Sequence, residues 1–284
     1  MKKITTLILS FVASVSMLAN ISPSEKEALI KLYNSTGGNQ WKTTWNLKSS
    51  EYTWYGVKIE NNKVVGINLS NNNLKGVLPT EIVNLVYLQE LVLFKNEISG
   101  SIPSNIGTLK NLKSLNLGFN KINGSIPSSI GQANSLQSIE LYMNRISGQI
   151  PSEIGNLKQL KTLSLYNNEI EGQIPNSIYS MNSLQVLLLS SNKLSGKLSQ
   201  NVANMASLEN LSLFENNMDG QIPNELEKLN NLKEMNVSYN MFNGLVSKKL
   251  AQLDTLNMTM INDKGIAVIL PVDVDKNSAY ASED

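Results

Sequence analysis

A strict 24-residue period constrains this chain more than any other feature. Written in lines of 24 from Val64, the lines start at Val64, Leu88, Leu112, Leu136, Leu160, Leu184, Leu208 and Leu232, with no insertion or deletion up to Thr255. A degraded ninth line starts at Leu256. The first column is Leu after Val64, and the sixth is Leu until Val237. The fourth is Ile67, Leu91, Leu115, Ile139, Leu163, Leu187, Leu211 and Met235. The ninth is always Asn: Asn72, Asn96, Asn120, Asn144, Asn168, Asn192, Asn216 and Asn240. The thirteenth is Gly from Gly76 to Gly244, and the sixteenth is Pro except at Ser199 and Ser247. Such a period means one structural unit stacked many times.

Each column has a physical meaning. Apolar residues at four and six with polar neighbours at three and five have the period of a strand with one buried face. Asn at the following bend has two amide donors and a carbonyl acceptor, enough to satisfy backbone groups of adjoining coils. Gly at thirteen suggests positive φ or close backbone approach. Pro at sixteen lacks an N–H and ends the second extended segment. The rest of each line is expected to hold a short helical turn. One coil cannot bury its apolar side chains alone, so stacked coils form a continuous core. Eight coils joined by parallel strands give a row roughly 34 Å long, seven spacings of about 4.8 Å.

The columns spell L-x-x-L-x-L-x-x-N-x-L/I-x-G-x-I-P, as in "LQELVLFKNEISGSIPSNIGTLKN". This resembles the leucine-rich repeat family, and within it the plant-type subclass with its G-x-I-P signature. The resemblance covers Val64–Thr255 and implies an α/β repeat solenoid. In it, a curved right-handed superhelix carries a parallel β-sheet on its concave face and short helical or 3-10 turns on its convex face. A second short strand is implied after each Asn turn.

The flanks fit the same plan. In "SPSEKEALIKLYNSTGG", Ser22 or Ser24 can cap a helix with Glu25 or Glu27 three residues on, and Pro23 suits its first position. Gly37 and Gly38 suit its end. The segment from Trp54 resembles the amino-terminal cap of plant-type repeats, with Ile59 where those carry Cys. The usual cap disulfide is therefore absent, as in a bacterial relative of the family. Trp41, Trp45 and Trp54 are expected to seal the first coil as a lid rather than to stack on sugars. At the start, Lys2 and Lys3 precede an apolar run from Ile4 to Leu18, the pattern of a secretory signal peptide. The expected divisions are a signal peptide at 1–19, a cap at 20–63, eight repeats at 64–255, and a degenerate closing repeat with a loose tail at 256–284. The expected location is outside the cytoplasm: periplasm, cell surface or medium. No later segment is apolar for long enough to span a bilayer.

Composition then excludes several functions. There is no Cys and no His, which removes disulfides, zinc sites and every triad that needs thiolate or imidazole. The net charge is +1, and Arg145 is the sole arginine, so no field draws nucleic acid and no bidentate clamp draws phosphate. No cofactor is expected.

Function must then sit on the solvent-facing strand columns. Column seven reads Ser70, Phe94, Gly118, Tyr142, Tyr166, Ser190, Phe214 and Ser238; column eight holds Phe119, Met143 and Tyr239; column five adds Val92, Glu140 and Leu188. An ordered aromatic stripe on an open face marks an interaction site. The alternative is that the rings only stack on one another to stabilise the sheet. Charges here are mixed, with Lys95, Lys113, Lys161 and Lys233 against Glu90, Glu140, Glu209, Glu215 and Glu234. The resemblance implies a non-catalytic recognition protein, and a protein or peptide is the expected partner. A glycan stacking on the same rings is the alternative. A carboxylate pair could hydrolyse glycosidic bonds, but these Glu residues occupy variable positions of a regular repeat with no insertion to build a pocket.

Overall fold

The computed structural model describes residues 20–254 and 256–273. The segment assigned as a signal peptide and the tail from 274 onward lie outside the described residues.

Each repeat contributes one strand to a nine-stranded sheet, formed by Val57–Glu60, Lys63–Asn68, Glu90–Val92, Ser114–Asn116, Ser138–Glu140, Thr162–Ser164, Val186–Leu188, Asn210–Ser212 and Glu234–Asn236. All pairs after the first are parallel and in register: Ile67 faces Leu91, Leu91 faces Leu115, Leu115 faces Ile139, and so on to Leu211 and Met235. The 24-residue period is thus the register itself. A second parallel sheet of eight short strands, from Lys75–Val77 to Met241–Asn243, follows the Asn bends. Short 3-10 turns complete most coils, as at Thr80–Asn84 and Ser152–Asn156. This is the solenoid architecture expected.

Pro at sixteen does more than end a strand. At Pro79, Pro127, Pro151 and Pro223 it is the residue before the 3-10 turn, and its carbonyl accepts the N–H three residues on, as Pro127 does from Ile130 at 3.0 Å. Where Ser replaces it, the carbonyl still accepts (Val202 N–H to Ser199 O at 3.0 Å) and the hydroxyl adds a cap: Ser199 accepts from Asn201 N–H, and Ser247 caps a true α-helix, Lys248–Leu253.

Between the sheets and the turns the repeated Leu and Ile columns are buried as one core that runs from Ile21 to Leu270. Each Asn from Asn96 onward stitches coils together. The Asn144 Nδ2 group donates to the carbonyls of Leu117 and Leu141, both at 3.0 Å, and its Oδ1 accepts from Ile122 N–H at 2.9 Å. Asn72 has no preceding repeat, and the backbone of Thr43 takes that place, bonding both ends of its amide.

The amino-terminal end closes with helix α1, Pro23–Ser35, whose capping box uses Ser22 and Glu25. Buried Glu25 also accepts Val64 N–H at 3.0 Å, fixing the helix to the first repeat. An antiparallel hairpin, Val57–Glu60 with Lys63–Asn68, starts the long sheet. Its turn residues Asn61 and Asn62 both have positive φ, the primed geometry that matches sheet twist. Trp41, Trp45 and Trp54 are buried and packed ring to ring, and each indole N–H donates to a carbonyl (Thr36, Tyr55 and Asn46). They form a lid; their faces are not free for sugars.

The carboxyl-terminal end closes on Asp254, which is buried and accepts from Val237 N–H, Leu256 N–H, Met258 N–H and the Ser238 hydroxyl. Beyond it, Thr259–Ile261 pairs antiparallel with Ala267–Ile269. Ala267–Ile269 is exposed along its length, while Leu270 next to it is buried in the core.

Candidate functional site

Strand alternation places columns three, five and seven on the open face of the nine-stranded sheet. Column eight then does something the residue types conceal. Asn71, Lys95, Phe119, Met143, Asn167, Ser191, Glu215 and Tyr239 all adopt left-handed backbone, with φ between 51° and 59°. Left-handed positions ordinarily select Gly, Asn or Asp, so Phe, Met, Lys and Tyr gave no signal of it. The strain is offset by the ladder, which continues around the bend. Phe119 N–H donates to Tyr142 O at 2.8 Å, and Asn120 N–H to Met143 O at 3.2 Å. The bend also turns column eight outward, leaving Phe119, Met143 and Tyr239 exposed at the rim.

Column seven behaves differently. Phe94, Tyr142, Tyr166 and Phe214 are half-buried against their neighbours rather than freely exposed. Tyr142 and Tyr166 stack face to face, centroids 4.7 Å apart and planes at 5°. Phe94 meets Phe119 edge-on at 6.2 Å and reaches Tyr142, two coils away, at 6.1 Å. That contact skips the intervening coil because its column-seven residue is Gly118, over which the Tyr142 ring lies. Phe214 and Tyr239 make a separate edge-on pair at 5.2 Å. The expected stripe is therefore two clusters. Ser190 interrupts it, bonded through its hydroxyl to Ser212 where a ring would otherwise continue the stack.

Between the clusters lies a shallow depression of about 320 Å³, lined by Tyr166, Leu188, Ser190, Leu211, Glu234 and Met235 among others. Leu188 and Val92 are both half-buried on the face, and Leu188 is the one that lines the depression. Beside the first cluster, Glu140 is held by two neutral donors: Asn116 Nδ2 to Oε2 and Ser138 Oγ to Oε1, both at 3.0 Å. Burial first, and the Glu140 charge second, push the Tyr142 and Tyr166 phenols above their ordinary value. Both hydroxyls are therefore neutral and able to donate at physiological pH.

Larger recesses lie elsewhere. One of about 790 Å³ is lined by Lys197, Asp219, Gln221 and Glu225. Another of about 650 Å³ is lined by the equivalent columns at Gln149, Pro151 and Gln173. Their recurrence at the same columns marks them as the groove every repeat leaves beside the second sheet. Column fourteen crosses this groove: a Cβ on Gly172 would meet Gln149, and one on Gly196 would meet Gln173. Gly172 and Gly196 are thus favoured by space as well as by positive φ, 80° and 77°, whereas at Gly124 and Gly148 a Cβ would meet only a Ser Cβ at 3.5 Å and positive φ alone favours Gly.

Comparison with known proteins follows the same pattern. Residues 141–265 match the leucine-rich repeat region family, and residues 63–85, 87–109 and 111–133 each match the single leucine-rich repeat. A probable leucine-rich repeat receptor-like protein kinase of Arabidopsis thaliana is 41% identical over 90 residues, which is 31% of this chain and 9% of that protein. The plant peptide hormone receptor RGFR1, solved in complex with RGF2, aligns with a TM-score of 0.64 at 30% identity, over 73% of this chain and 32% of that one. The BIR2 ectodomain from Arabidopsis thaliana aligns with a TM-score of 0.54 at 32% identity, over 62% of this chain and 95% of that one. The chain thus spans about a tenth of the kinase and about a third of the peptide receptor. Repeat, register, Asn ladder and these likenesses agree: the chain belongs to the leucine-rich repeat family.

Proposed function

We propose that this is an exported, non-catalytic recognition protein that binds a protein or peptide on the face of its nine-stranded sheet. The observation that carries the proposal is the pre-packed cluster of Phe94, Phe119, Tyr142 and Tyr166. Rings already immobilised by one another lose little rotamer freedom when a partner arrives, which suits an interface core. The likeness to a peptide hormone receptor supports the same reading. The sequence pattern at Lys2, Lys3 and Ile4–Leu18 supports export. No helix among the described residues is long and apolar enough to cross a membrane.

A glycan partner is less well served. Sugars stack on free aromatic faces, and Tyr142 has neither face free: Gly118 lies against one and Tyr166 against the other. The cluster offers edges and hydroxyls instead.

The test is affinity capture from envelope and culture extracts. It compares the parent chain with one carrying Tyr142→Ser, Tyr166→Ser and Phe214→Ser together. The triple variant should keep a folded circular dichroism spectrum and a cooperative melt, at a lower midpoint because packed rings are lost, but lose a specific protein partner. Unaltered capture would place recognition elsewhere, and binding on a glycan array by the parent alone would favour the sugar.

A further inference from the structure

The charges on the aromatic face narrow what kind of segment it can hold. Glu209 is neutralised by Lys233 of the next coil. Glu140 and Glu234 are not: neither forms an ion pair with a described residue. Each is instead oriented by an uncharged amide one coil back. Asn116 donates to Glu140 at 3.0 Å, and Asn210 donates to Glu234 at 2.6 Å. Lys161, on the coil after Glu140, stands three columns away and does not pair with it. A neutral donor fixes a carboxylate in place while leaving its charge uncompensated. At Glu140 the surroundings are two phenols, whereas Glu234 is exposed at the edge of the depression. Charge in a half-buried setting, as at Glu140, is worth more to an incoming cation than charge in open water, where the exposed Glu234 is more strongly screened. The two carboxylates lie at opposite ends of the site and do not converge. No group of three acidic side chains among the described residues could hold a metal ion.

Spacing sets the rest. Glu140 is on the fourth coil and Glu234 on the eighth, two columns earlier along the strand, so four strand spacings of about 4.8 Å and two residues of about 3.3 Å together separate their backbones by roughly 20 Å. An extended peptide rises about 3.3 Å per residue, so the gap corresponds to about six residues. Midway lies the depression at Leu188, large enough for an aliphatic side chain.

Resting on the peptide-binding reading above, we propose that the bound partner presents an extended segment with two basic side chains about six residues apart. One sits on Glu140 and the other on Glu234, with an apolar residue between them in the depression at Leu188. The phenol hydroxyls of Tyr142 and Tyr166 are placed to donate to backbone carbonyls of that segment.

A random twelve-residue peptide library displayed on phage, selected on the full chain, tests this. Expected binders carry Lys or Arg pairs at that spacing around an aliphatic residue. In fluorescence polarisation with a synthetic consensus peptide, Glu140→Gln or Glu234→Gln should each weaken binding about fivefold to tenfold, and added salt should weaken it further. Binders that depend on Tyr142, Tyr166 and Phe214 but lack the basic pair, or ignore both Gln substitutions, would overturn the charge assignment and leave the face as the binding site. Binders indifferent to the aromatic substitutions, or no binders at all, would overturn both.

Discussion

The ring of Tyr142 lies flat over Gly118. A methyl group there would stand 2.9 Å from Cζ and 3.0 Å from each Cε. Equal distances to the two Cε atoms put the glycine over the ring rather than at its rim. Gly118→Ala should therefore swing the ring off Phe94. The ring end can move, so the cost in unfolding free energy should be about 1 kcal/mol or less. Near-ultraviolet circular dichroism should change clearly. The substitution should do nothing further in a Tyr142→Ala background, and an unchanged aromatic spectrum in the single variant would contradict the contact.

Asn144 carries two donors and one acceptor to three backbone groups on two coils. Asn144→Ala leaves those groups unpaired beside the core and should cost about 3 to 5 kcal/mol. Asn144→Asp keeps the acceptor but turns carboxylate oxygens on two carbonyls, so it should be no milder than Ala. Urea denaturation checks both. A loss under about 1 kcal/mol for either would mean that water replaces the amide.

What the sequence disclosed divides along physical lines. Spacing carries register, so the stacked strands, the Asn bends and the Gly turns are legible in the residues of lines starting at Val64 and Leu88. Side-chain direction inside a bend is not carried by spacing. Lys95, Phe119 and Met143 give no compositional hint of left-handed backbone, because the inter-coil ladder and not the residue type imposes it. Gly118 and Ser190 likewise read as gaps in an aromatic column. Only the contacts show that the first lets Tyr142 reach Phe94 and the second divides the stripe. The Asn61–Asn62 turn was legible in principle, since adjacent Asn residues between alternating apolar positions favour a primed turn.

Asp254 gathers three N–H groups and a hydroxyl at the end of the last coil. Asp254→Ala should free residues 256–261 while the repeats stay folded, because each repeat depends mainly on its neighbours. Hydrogen exchange should accelerate at Val237, Met258 and Thr259 and remain slow at Leu115 and Leu163. Exchange rising along the whole solenoid would instead show that the end cap holds the stack together.

Tyr179 stands where the three preceding coils carry Gly107, Gly131 and Gly155. It is buried, and its hydroxyl has no hydrogen-bond partner among the described residues; the Ser199 backbone faces it without meeting bonding geometry. Removing an unpaired buried hydroxyl removes a desolvation penalty. Tyr179→Phe should therefore raise stability by about 1 kcal/mol. A destabilised Phe variant would show that the hydroxyl is bonded in solution.

The phenols of Tyr142 and Tyr166 make the face sensitive to alkali. Burial and then Glu140 raise both above the ordinary tyrosine value. The folded chain thus holds these protons more tightly than the unfolded chain, whose tyrosines titrate near about pH 10. Their contribution is complete below that pH and is lost as pH climbs through the raised folded values, because the unfolded state sheds its protons first. Denaturation midpoints should fall across that window, less steeply in the Tyr142→Phe, Tyr166→Phe double variant. Lysines titrate nearby, so parent and variant must be compared at each pH. In a separate measurement, phenolate absorbance of Glu140→Gln should shift part of the tyrosine titration to lower pH, since the repelling charge is gone. Parallel pH profiles in parent and double variant, with no shift on Glu140→Gln, would show that neither burial nor Glu140 governs these hydroxyls.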